Sequence, residues 1–72
     1  MNTLEKAIAF HKENFEEIRK DLLSLDVYRD KLIADRYDME LGYRGEKFSQ
    51  EDIDKINSLI AECDKEIDKK KA

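Results

Sequence analysis

The chain has no proline, and its only two glycines, Gly42 and Gly45, stand three residues apart. These residue types are the strongest local breakers of regular structure, so a sequence with one such point reads as two arms joined by one turn. Both arms carry a helical pattern of apolar residues, which makes the expected fold all-α.

The second arm opens with several agreeing signals. Ser49 suits the N-cap, Asp52 follows three residues later as a variant of the capping box, and Phe48 is placed to staple onto Ile53. From there Ile53, Ile56, Ile60, Cys63 and Ile67 recur at spacings of three and four, widened by Leu59. That spacing draws one apolar seam along a helix over about 50–69. Lys69, Lys70 and Lys71 close it, where positive charge complements the free carbonyls of a helix C-terminus.

The first arm runs from a cap at Asn2 or Thr3 to Leu41, with Gly42 suited to the left-handed position that follows a helix and Tyr43 free to fold back over the last turn. Its seam is Leu4, Ile8, His11, Phe15, Ile18, Leu22 and Leu25, continued by Tyr28, Leu32, Ile33 and Met39. Because this stripe runs on without interruption, the reading favoured is one helix over about 3–41, a turn over 42–49 and the second helix. The alternative is a break near 24–26, since Ser24 and Asp26 compete for backbone hydrogen bonds, giving a three-helix bundle.

A single helix of nearly 40 residues is about 57 Å long, while the second arm reaches only about 30 Å. Such a long antiparallel hairpin cannot cover itself. Leu4, Ile8, His11, Phe15, Ile18 and Leu22 are therefore the expected interface, and a homodimer with a four-helix arrangement is the simplest way to bury them. An unidentified protein partner on the same stripe is the other expectation, because exposed apolar faces mark interaction surfaces.

Three polar residues fall within the stripe: His11, Arg29 and Arg36. Arg29 and Arg36 are seven apart and face the second arm, where Asp54 and Glu62 are expected partners. Polar residues at seam positions set register and oligomer state. The same two arginines, with Tyr28 or Tyr37 beside them, also suit a small anionic ligand, since guanidinium forks match phosphate and carboxylate. The turn adds Tyr43, Arg44 and Lys47, an aromatic and two cations displayed together.

Seventy-two residues allow a single domain, 1–72, whose own core stabilises it only marginally. One cysteine and one histidine supply neither a disulfide nor a closed metal site, and no constellation for catalysis or glycine-rich phosphate loop is present. No cofactor, metal or enzyme activity is expected. Charged residues make up 44% of the chain, but the signs are interspersed and the net charge is only −4, which fits solvated helix faces and does not favour nucleic acid. No run is long enough to span a membrane, Met1 to Phe10 does not read as a signal peptide, and the cytoplasm is the expected compartment.

The stretch Ser49-Gln50-Glu51-Asp52-Ile53-Asp54 resembles the Ser-Gln-Glu-Leu-Asp opening of the second helix in short helical-hairpin phosphatases of the sporulation-regulator type. The aspartate here is displaced by one residue, a rotation of about 100°. The first arm is also longer than in that family, so no function carries over. The expected function is a small non-catalytic protein-binding module, an adaptor, inhibitor or regulator acting through an apolar helical face. An oligomeric binder of an anionic ligand and a structural subunit of a larger assembly are its rivals.

Overall fold

Asp21, not Gly42, makes the first break in the chain. In the computed structural model, which describes residues 1–72, α1 spans Thr3–Ile18, α2 spans Leu22–Leu41 and α3 spans Gln50–Lys71. The all-α expectation holds, while the single helix over 3–41 is replaced by two. The break lies just upstream of the 24–26 segment considered as its alternative.

The physical reason is a cap. Asp21 adopts extended backbone, φ −130° and ψ 126°, and its carboxylate accepts from the Ser24 backbone N–H at 3.0 Å and the Ser24 hydroxyl at 2.9 Å. The first of those bonds satisfies an amide that a new helix would otherwise leave free. On the other side, Lys20 N–H donates to the Glu17 carbonyl and Asp21 N–H to the Ile18 carbonyl, tightening the end of α1.

With the chain turned there, α1 folds back, and the molecule measures 39 × 21 × 17 Å, well short of a 57 Å rod. Of the stripe expected to await a partner, Leu4 and His11 are buried within the chain, and Ile8, Phe15, Ile18 and Leu22 are half-buried. Leu4, Ala7, Tyr28, Leu32, Met39, Ile56, Ile60 and Cys63 form one core, with Ile8, Phe15 and Ile18 packed against it. Within one chain, α2 and α3 thus pack against the α1 stripe that the sequence reading left for a partner.

The other termini form as their residues dictate. At α3, Ser49 accepts from Asp52 N–H at 3.2 Å while Ser49 N–H donates to the Asp52 carboxylate at 3.1 Å, completing the capping box. Asp52 is therefore occupied as a cap. Phe48 and Ile53, the pair expected to form a staple, are both partly buried against the core.

Helix α2 ends at Gly42 with φ +65°, and Tyr43 N–H reaches the Asp38 carbonyl at 3.1 Å while Gly42 N–H reaches Met39 at 3.3 Å. This is the Schellman pattern. The Tyr43 side chain does not fold back but stands 77% exposed.

Beyond that turn, Glu46 accepts from the Thr3 backbone N–H at 3.1 Å and the Thr3 hydroxyl at 2.9 Å. Those donors hold its carboxyl below the usual carboxylate range. The α2–α3 connection is thereby tied to the first turn of α1.

Candidate functional site

His11 sits at the junction of all three helices and is only 8% exposed. Its Nδ1 lies 2.7 Å from the Tyr28 hydroxyl, its ring stacks on Phe15 at 4.3 Å, and its Nε2 lies 3.2 Å from a Glu62 carboxylate oxygen. The Nε2 contact is near enough for an ion pair but not aligned as a hydrogen bond. Burial pushes the Tyr28 phenol well above its ordinary value, so it keeps its proton and can donate to Nδ1. The imidazole is a fastener between α1, α2 and α3.

Cys63 is fully buried. Burial raises its thiol to about 11, which leaves almost no thiolate near neutral pH. The two side chains best suited to nucleophilic chemistry are thus both built into the core.

Arg29 and Arg36 reach α3 as their positions suggest, though to other residues than expected. Arg29 pairs with Asp64, and Arg36 Nη1 donates to Asn57 Oδ1 at 2.8 Å while its Nε lies 3.5 Å from Glu40. Arg36 also lies over the Tyr37 ring at 5.6 Å. Tyr28, by contrast, turns toward His11 on the α1 side. The four residues do not converge on one anion site.

At the opposite end, Glu66, buried although charged, accepts from Arg19 Nε at 2.7 Å and lies 3.2 Å from Lys69 Nζ. The bond from Lys69, then that from Arg19, holds the Glu66 carboxyl low. Neither residue stood out in the sequence, because Arg19 follows α1 and Glu66 sits on the edge of the α3 seam. Tyr43, Arg44 and Lys47 are all exposed in the turn and make no shared site.

The surface that none of these contacts accounts for is the outer face of α2. Leu23 is 71% exposed, Val27 62%, Tyr37 55% and Leu41 77%, and Ala34 is exposed as well. Together with Asp30 they fall at 23, 27, 30, 34, 37 and 41, alternating steps of four and three. At 100° per residue these six positions form one narrow stripe on the side opposite Leu25, Leu32 and Met39. That alternation has the spacing of a coiled-coil seam, with one polar member.

Along its first half the stripe borders a groove of about 390 Å³ between α1 and α2, lined by Phe10, Ile18, Leu23, Val27, Tyr28 and Lys31 with Ser24. Phe10 and Tyr28 meet with ring centres 5.5 Å apart at its side, and Lys31 lies 5.9 Å above the Phe10 ring. Phe10 is 41% exposed, and Ile18 is partly so. The seam, interrupted at Asp30, and the groove therefore make one largely apolar surface on a helix whose other side is already packed.

No helix is long and apolar enough to cross a membrane. Comparison with protein-family models, curated proteins and solved structures finds no match.

Proposed function

We propose that the protein is a small non-catalytic binding module, a cytoplasmic adaptor or regulator, acting through the outer face of α2 and the adjoining α1–α2 groove. The observation that carries this reading is the six-position seam from Leu23 to Leu41, exposed at every member. Scattered surface apolar residues need no explanation, but five exposed apolar residues aligned on one helix face mark an interaction site. Its heptad spacing favours a helix as the bound element.

The non-catalytic part of the reading is supported by what His11 and Cys63 do. One is engaged by Tyr28, Phe15 and Glu62, and the other is enclosed. Arg29 and Arg36 are held by α3 side chains, which argues against the anionic-ligand alternative.

Thiol labelling tests the reading directly. A Val27→Cys variant should react readily in dilute purified protein and at least about tenfold more slowly in cells that make it from its own gene, if a partner covers the face. Cys63 supplies a buried control. Equal labelling in both settings, corrected for reagent entry with an exposed Lys12→Cys variant, would remove the binding assignment.

A further inference from the structure

We propose that the occupant of the α2 seam is a second copy of this chain, with the two α2 helices antiparallel about a two-fold axis at the level of Leu32. The inference rests on the reading of this face as a binding surface and names what binds it.

The seam is self-complementary in that orientation. Positions 23, 27, 30, 34, 37 and 41 are mirrored about 32. Antiparallel pairing therefore sets Leu23 opposite Leu41 of the second copy, Val27 opposite Tyr37, and Asp30 opposite Ala34. Each layer matches a larger side chain with a smaller one or a leucine with a leucine. The paired stretch is about 27 Å long, and a two-fold arrangement uses the same stripe on both copies.

Charge selects the direction. Parallel pairing in register would set Asp30 against Asp30 within the seam, a like-charge contact in a poorly solvated layer. It would also leave Ala34 against Ala34, a gap beside the Tyr37 pair. In the antiparallel arrangement each Asp30 faces a methyl group and lies within about one helical turn of Lys31 from the other copy.

Two Asp30 and two Lys31 then gather around the axis, neutral as a set. Lys31 donates to half-buried Asp35 at 3.1 Å and lies 5.9 Å over the Phe10 ring, but its own side chain is 57% exposed, so its ammonium can exchange partners at modest cost. A charged seam position lowers affinity while fixing register and direction. A reversible dimer is the expected product.

Light scattering on the full chain from micromolar to millimolar concentration should show the mass rising from 8.5 kDa toward twice that value. Asp30→Leu should lower the concentration at half-association by at least about tenfold, because it replaces a charge with an apolar seam member. Val27→Asp should hold the chain at the monomer mass, with helical circular dichroism retained to show that it folds.

Orientation is read by disulfide trapping with Leu23→Cys and Leu41→Cys variants. Mixing the two should yield the mixed disulfide, whereas each alone should not cross-link, since its copies stand about 27 Å apart. Self-cross-linking of Leu23→Cys overturns the antiparallel pairing.

A wild-type mass fixed at 8.5 kDa overturns self-association itself. If Val27→Cys is nonetheless shielded in cells, the binding face stands and its occupant is a different protein. If it is labelled there as in dilute solution, both readings fall.

Discussion

The inner and outer faces of α2 are similar in apolar content and opposite in fate. Leu25, Tyr28, Leu32 and Met39 are buried under α1 and α3, while Leu23, Val27, Ala34, Tyr37 and Leu41 face outward. Apolar content alone therefore does not decide which side of this helix is core. The decision lies with the neighbours, because α1 and α3 bring matching stripes to one side only and satisfy its polar members there. His11 receives Tyr28, Arg29 receives Asp64, and Arg36 receives Asn57. Asp30 on the outer face receives no such side-chain bond within the chain.

The sharpest way to break this comparison is to empty the inner face. Leu32 is fully buried, so Leu32→Ala should cost about 2–5 kcal/mol in a urea or thermal melt. A change no larger than that of an outer-face variant would mean the two faces are energetically alike.

A smaller loss is expected from Tyr28→Phe, which keeps the ring and removes the hydroxyl 2.7 Å from His11 Nδ1. Leaving that nitrogen buried and unmatched should cost about 1–3 kcal/mol in the same melt. Next comes Asp21→Ala, which removes the cap that separates α1 from α2. It should cost about 1 kcal/mol, and amide exchange at Ser24 should accelerate.

The smallest effect is expected on the outer face. Measured at concentrations where the chain is monomeric, Val27→Asp should change stability by no more than about 0.5 kcal/mol. A loss of core size at this position would show that Val27 belongs to the intramolecular fold.

These contrasts also show why some of the molecule was legible in the sequence and some was not. The start of α3 could be read because Ser49, Asp52, Phe48 and Ile53 act within one helical turn, and local contacts are written in adjacent residues. The stop at Gly42 could be read because the backbone there needs a positive φ. The break at Asp21 was hidden by its surroundings. The apolar stripe keeps its period through Ile18, Leu22 and Leu25, so an aspartate three residues before a serine competed with a pattern that seemed continuous.

The consequence reached the candidate site. With α1 read as an overhang, its stripe became the expected interface, whereas within the chain that stripe packs against α2 and α3. The outer seam of α2 was present all along as steps of four and three from Leu23 to Leu41. It went unread because the stronger stripe on the same helix, through Leu25 and Leu32, had already been assigned as the apolar side. A helix with two apolar sides gives a weak single-face signal.

The bond between Glu46 and Thr3 bears on the order in which the chain can be completed. Helix α1 leaves the ribosome before α2 and α3, yet the carboxylate that ties down its first turn arrives 43 residues later, and Glu62 beside His11 comes later still. A 16-residue helix is marginal by itself, and the apolar side of α1 is covered only in part by α2 until α3 follows. Of the three helices, the first to be synthesised is thus the last to be fully secured, and nascent α1 must wait in contact with whatever surrounds it.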